Sequence, residues 1–327
     1  WLNGTEEAPV MSHTLLQKNV FPKLNKKTFL MVIDNLRYDQ WKVLQPVLSE
    51  YFAVEEEDNY YSILPTATQY ARNALFAGLM PTEIAKKYPK KWKNDDDEGG
   101  KNLFEKDFLE GNLIRNGITG KFSYNKITNL NAGKKLVDNF SNLLQNDFNA
   151  IVYNFVDMLS HARTDMEVIR ELASDEAAYR SLTLSWFEHS SLLDIFKLIA
   201  ENGCDVIITT DHGTVRVDEP SKVVGDRNTN TNLRYKQGKN LSYEKRDVFE
   251  IKRPDEAFLP KLNVSTTYVF AKDTKFFVYP NNYNHYMNYY KDTFQHGGIS
   301  MEEVIIPIIK MRSKTKKKKE IPKNDKY

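Results

Sequence analysis

The chain has 327 residues, 41% of them hydrophobic and 28% charged, with 46 Lys and Arg against 44 Asp and Glu for a formal charge of +2. That length buries a large core without cross-links, and near-neutrality excludes a protein that coats nucleic acid or an anionic membrane over its whole surface. A single cysteine, Cys204, excludes an internal disulfide and fits a reducing compartment, and no apolar run reaches the roughly 18 residues that cross a bilayer.

The opening Trp1-Leu2-Asn3-Gly4 lacks an initiator Met, a basic segment and an apolar segment. It is no signal peptide and reads as the start of a fragment whose upstream part is absent. Residues 1–28, polar and mixed with Pro9 and Pro22, read as an arm or linker into a domain over 29–312. Residues 28–33 (TFLMVI) predict a strand buried on both faces, as do 150–156 (AIVYNFV) and 205–210 (DVIITT). A strand-like run at 60–64 precedes a helix that ends near Gly78, with Pro81 beyond it. Helical patterns at 134–144 and 176–200 separate the strands, and this alternation predicts an α/β fold with a mostly parallel central sheet and helices on both faces. Residues 91–100 (KWKNDDDEGG) form a charged loop. Residues 214–262, polar and without clear periodicity, read as an insertion that caps the domain. Residues 267–271 and 276–279 predict a hairpin, and 304–309 (VIIPII) a late strand that Pro307 assigns to an edge or a strand end. The basic residues 314–319, in a tail over 313–327, read as solvated.

In open α/β sheets ligands gather at the carboxyl ends of strands, and polar residues collect there. Asp34 follows the first strand, Asp157 the second, and Asp211-His212-Gly213 the third. Alone, each Asp is as readily a helix cap. Asp157 and His161 lie four apart, so a helix puts both on one face. His296, before Gly297 and Gly298, adds a late imidazole. Carboxylates and imidazoles without a thiolate cluster suit zinc or manganese. Thr68 opens a helix, where backbone N–H groups favour phosphate; Thr66 lies two residues earlier.

In this order, Asp34, Thr68, Asp157-x-x-x-His161, Asp211-His212 and His296 resemble the alkaline-phosphatase superfamily. More narrowly, VIDNLRYDQW, ILPTATQYARNALFAGLMP, YNFVDMLSHAR, TTDHGT and FQHGGISMEEVIIP look like the PglZ domain, most of all the output domain of PorX-type response regulators. The resemblance implies two zinc ions, with manganese as the alternative. Asp157, His161 and His296 would hold one; Asp34, Asp211 and His212, completed by the Thr68 oxygen, would hold the other. It implies a phosphodiesterase or phosphatase working by in-line displacement, with Thr68 as nucleophile and a phosphothreonine intermediate. Ala71 stands where phosphodiesterase relatives carry a phosphate-binding Asn, which passes phosphate contact to Arg72, with Arg37 as a weaker candidate. Arg227 and Arg234, beside Lys222 and Lys236 in the insertion, are expected to bind a phosphate-rich substrate such as an oligonucleotide. The resemblance also implies a cytoplasmic regulator of type IX secretion, joined to an upstream receiver domain and dimerising through that missing region, without a membrane anchor. The rival reading is a non-catalytic output module in which metal stabilises a protein-docking scaffold.

Overall fold

The computed structural model of the protein describes residues 7–24, 26–226 and 229–315. Its central sheet is built from β1 (Thr28–Ile33), β2 (Phe52–Tyr61), β3 (Phe122–Ile127), β4 (Phe148–Tyr153), β5 (Asp205–Thr209) and a last strand, Ile305–Ser313. The order across the sheet is β2, the last strand, β5, β1, β4, β3. β5, β1, β4 and β3 run parallel, and the last strand is antiparallel to both neighbours. Every residue of β1 is buried because both faces are covered. Leu30 and Val32 pack on one side and Phe29, Met31 and Ile33 on the other, which is why the strand reads as an unbroken apolar run.

Between the strands lie α1 (Tyr38–Leu48), α2 (Thr68–Ala77), α3 (Pro81–Lys87), α4 (Glu105–Arg115), α5 (Leu130–Asp138), α6 (Phe140–Leu143), α7 (Phe155–Asp165), α8 (Glu167–Leu172), α9 (Glu176–Glu188) and α10 (Ser191–Glu201). α2, α3 and α4 cover the Leu30 face; α1, α5, α6, α9 and α10 cover the other. No described helix is long and apolar enough to cross a membrane.

Several expectations change. The 176–200 helix is two helices, because Ser190 caps α10 by accepting from Leu193 N at 3.4 Å while its hydroxyl donates to Phe187 O at 2.8 Å. The 60–64 run is the end of a ten-residue edge strand, β2. Its acidic stretch hid it, and that stretch is satisfied across the ladder, where Lys310 and Arg312 meet Glu55 at 3.1 and 3.2 Å. Pro307 sits near the start of an inner strand, the strand-end alternative and not the edge. Its carbonyl accepts from Thr209 Oγ1 at 2.8 Å, so its missing N–H faces β5, where pairing begins only at Ile308.

The insertion is another. It is folded: β6 (Val215–Arg216), β7 (Glu219–Val224), β8 (Tyr235–Gly238), β9 (Ser242–Tyr243) and β10 (Val248–Ile251) combine with β11 (Thr267–Ala271), β12 (Lys275–Val278) and β13 (Phe294–Gln295). They form sheets β10-β11-β8, β12-β7-β9 and β13-β6. The expected hairpin is thus two strands that join different sheets. α11 (Tyr283–Tyr290) and α12 (Met301–Val304) complete the chain before β14, the Ile305–Ser313 strand.

Replacing Ser190 with Ala removes the cap between α9 and α10 and is expected to cost about 1 kcal/mol, read as a lower urea midpoint with an unchanged slope.

Candidate active site

The carboxyl ends of β1, β4 and β5 open on one edge, and three turns leave from it. After β1 the chain turns through Asp34 and Asn35, the latter left-handed at φ 63°, a conformation Asn tolerates better than most residues. Asn35 ties the edge together: its N–H donates to Asp211 Oδ1 at 3.3 Å and its amide to Ser160 of α7 at 3.3 Å. After β5, the Asp211 turn is held by Ser62, whose hydroxyl donates to Asp211 O at 2.8 Å. Gly213 is required by close approach: a Cβ there would meet the carbonyl oxygen of Glu302 at 1.9 Å. After β4, α7 presents Asp157 in its first turn and His161 one turn on.

Two groups of donors result. Asp157, His161 and His296 converge, as do Asp34, Asp211 and His212, the ligand atoms of each set lying within 4.8 Å of one another. The two imidazoles His212 and His296 stack at 4.2 Å between centroids, so the groups adjoin. Each is fixed through its second nitrogen: His212 Nδ1 donates to Gly213 O and His296 Nδ1 to Thr66 O, both at 3.0 Å, which makes each Nε2 the unprotonated nitrogen able to ligate. Thr68, half-buried as the first residue of α2, has Oγ1 3.0 Å from His212 Nε2 and 3.4 Å from Asp34 Oδ1.

Burial dominates the electrostatics. It pushes the Asp34 carboxyl up to about 7 despite Arg72, and raises Asp211 as well. It holds His212 below the ordinary imidazole value and, with His212 alongside, takes His296 to about 4. At Asp157 burial is outweighed by a hydrogen bond from His161, which holds the carboxyl well below its usual range. Both buried imidazoles are therefore neutral at pH 7, as ligation requires. Two buried carboxylate oxygens, Asp157 Oδ1 and Asp211 Oδ2, have no hydrogen-bond partner. One orphaned anionic oxygen in each group, beside a neutral imidazole, is the environment a divalent cation satisfies, so the residues fit a pair of such ions.

The expected phosphate donors lie elsewhere. Arg72 is buried behind the site, with Nη1 2.5 Å from Asp34 and Nε 2.5 Å from Glu105; these carboxylates hold its guanidinium away from any phosphate. Arg37 is paired with Asp39 and Glu176, each at 2.8 Å. Arg234 is wholly buried and paired with Glu303 at 2.6 Å. Glu303 also accepts from Gly298 N at 2.9 Å, so Arg234 anchors the His296 turn instead of meeting substrate. Arg227 lies outside the described residues. Thr66 is buried as well: its hydroxyl donates to Gly298 O at 2.8 Å and accepts from Gly297 N at 3.0 Å. It shapes the turn that aims His296. Asn35, Glu105 and Glu303 are supports the sequence did not reveal. Only Asn35, in an Asp-Asn turn signal, left a trace there.

Residues 15–311 match the family model described as the BREX system PglZ alkaline phosphatase-like domain. The chain belongs to the PglZ family. A curated relative, the alkaline phosphatase-like protein PglZ of Bacillus cereus, is 23% identical over 309 residues, which are 92% of this chain and 33% of that protein. This PglZ domain therefore spans about a third of the length of the curated relative it matches. Among solved structures, the murine ectonucleotide pyrophosphatase/phosphodiesterase 5 superposes with a TM-score of 0.51 at 11% identity, covering 88% of each chain, both alone and as an inactive form in complex with AMP. The human protein superposes at 0.50 and 11% identity, covering 88% of this chain and 87% of that one. At such identity the likeness is one of fold.

Two outcomes follow from this geometry. Thr66→Val should weaken metal held by the His296 group by about tenfold or more, measured by competition with a chromophoric chelator. Because Asp34 carries a proton below about pH 7 and must lose it to ligate, metal uptake by its group should release about one proton at pH 6 and almost none at pH 8.5. Affinity then falls with acidification through that window, as calorimetry in buffers of different ionisation enthalpy would read.

Proposed function

We propose that this PglZ domain is a two-metal phosphoesterase, a zinc-dependent phosphodiesterase that cleaves nucleotide or oligonucleotide esters through a phosphothreonine on Thr68. The observation that carries the reading is the Thr68 hydroxyl, aimed from the start of α2 at His212 Nε2 and Asp34 Oδ1, 3.0 and 3.4 Å away. Bound at the two groups, the ions would supply Lewis-acid charge that lowers the hydroxyl pKa and offsets charge on the phosphoryl oxygens.

The chain's own residues do the rest. His212 Nε2 and Asp34 Oδ1 fix where the Thr68 oxygen lies, beside the second group of donors. A bond from Oγ1 to phosphorus forms as the bond to the leaving oxygen breaks, and the proton that Oγ1 gives up ends on the leaving oxygen. The first backbone N–H groups of α2 face the phosphoryl group, with the helix dipole behind them. Water then cleaves the phosphothreonine and restores the hydroxyl.

A polar recess of about 470 Å³ supports a nucleotide as the organic part of the ester. Gln69, Asn230, Asn232 and Gln237 line it with amides, beside the carboxyls of Asp95 and Asp96. It adjoins the site on two sides, since Gln69 follows Thr68 and Asn232 lies against Gly297. Of the insertion's lysines, Lys236 is buried over the Tyr279 ring and so unavailable to a polyanion, while Lys222 is exposed over Tyr283. Service as the cytoplasmic output domain of a PorX-type response regulator of type IX secretion, with an upstream receiver domain and dimerisation through that region, rests on the sequence motifs.

The test is zinc-dependent hydrolysis of bis-p-nitrophenyl phosphate by the parent and by Thr68→Val. Turnover should need zinc and fall by on the order of a thousandfold in the variant. Survival of turnover in Thr68→Val would remove Thr68 as nucleophile. A parent that binds two ions and turns over neither this diester nor p-nitrophenyl phosphate would be the metal-stabilised docking module instead.

A further inference from the structure

We propose that Arg72 is a resident cation of the Asp34–Asp211–His212 group, competing with the divalent ion for its two carboxylates and weakening that ion's hold. The inference rests on the metal-centre reading above. Arg72 Nη1 lies 2.5 Å from Asp34 Oδ2 and 3.6 Å from Asp211 Oδ2. That second oxygen is the orphaned one, 3.7 Å from His212 Nε2. The guanidinium thus stands against the same carboxylates that would hold the ion.

It is also fixed there. Nε is 2.5 Å from Glu105 Oε1, and the side chains of Arg72, Asp34 and Glu105 are each 1% exposed. Glu105 Oε2 is bonded in turn by the Tyr124 hydroxyl and by Lys126, the latter at 3.2 Å. Arg72 sits one turn into α2, beneath Thr68, and has no route to solvent without breaking this set. Glu105 and Lys126 offset one another, so the positive charge left over falls on Asp34 and Asp211.

Two consequences follow from Coulomb's law at low dielectric. Without metal, the guanidinium keeps two buried carboxylates from repelling one another, so the site is built before an ion arrives. With metal, the ion meets a fixed like charge within contact distance of its ligands, and its affinity drops. The ion next to Thr68 is then the exchangeable one, and occupancy follows free metal concentration.

The experiment is a zinc titration of the whole chain against a chromophoric chelator, with calorimetry for stoichiometry. Asp211→Asn identifies which binding step belongs to this group. Arg72→Met combined with Glu105→Gln removes the buried pair together, and is expected to tighten that step by about tenfold or more while lowering the melting temperature of the metal-free protein. A parent taking one zinc where the double variant takes two is the same result at its limit. An unchanged or weakened step in the double variant overturns the proposal and leaves Arg72 a packing residue. If the double variant is insoluble, Glu105→Gln alone decides: Arg72 then leans wholly on Asp34 and Asp211, and the step should weaken, so no change overturns it. None of these readouts needs turnover. Tightening without hydrolysis would sink the hydrolase reading alone, and normal hydrolysis with unchanged affinity would sink this one alone.

Discussion

The arrangement turns on the cost of holding two carboxylates, Asp34 and Asp211, side by side out of water. Both are essentially inaccessible, and an isolated buried carboxylate is costly enough that a protein neutralises it, pairs it or binds a cation with it. Here the first two are both visible. Arg72 pairs with Asp34, and burial still drives that carboxyl up to about 7. What the pairing leaves undone is the Asp211 oxygen, which Arg72 approaches only to 3.6 Å and which has no hydrogen bond. The local chain follows from this demand. α2 must begin at the sheet edge so that one turn delivers both Thr68 and Arg72, and α4 must bring Glu105 behind them. A helix two residues out of register would carry neither group to its partner.

A second set of interactions fixes the far wall. His296 comes from a turn with no regular structure of its own, so its aim depends on what touches that turn. Thr66 grips it from the start of the α2 segment through Gly297 and Gly298, and Glu303 grips Gly298 from α12. Arg234 holds Glu303 from the insertion. Gly298 has no room for a side chain, since a Cβ there would meet Ala271 O at 2.6 Å and the Arg234 guanidinium at 2.9 Å. The insertion thereby becomes part of the site's frame. A cation read in the sequence as a substrate contact is committed to holding the His296 turn in place.

The sequence disclosed what local pattern controls. The strands β1, β4 and β5 declare themselves because covering both faces forces every position to be apolar, and the residues after them were legible because strand ends point to a shared edge. Distance in sequence defeats the same reasoning. β2 carries Glu55-Glu56-Glu57-Asp58, which looks like loop until Lys310 and Arg312 arrive from the other end of the chain. Thr66 and Thr68 look alike as helix-start hydroxyls; only the turn at Gly297, which takes one hydroxyl and not the other, separates them. Arg72 and Arg234 look like free cations until Glu105 and Glu303 are seen beside them. An arginine's partner, more than its own position, decides whether it meets substrate.

The same logic bears on what a shared fold can say. A superposition at 11% identity keeps the layer order and the edge where ligands collect, because those follow from the parallel sheet itself. It does not keep the charge at that edge, which is set by individual side chains. Two chains of this architecture could present the same donor atoms while one backs them with a buried guanidinium and the other with neutral packing. At low dielectric that single difference changes the attraction for a divalent ion more than any rearrangement of exposed charge around the mouth could, since exposed charges are screened by water and salt. In this chain the buried charge at that edge is the Arg72 guanidinium, on a side chain that solvent barely reaches.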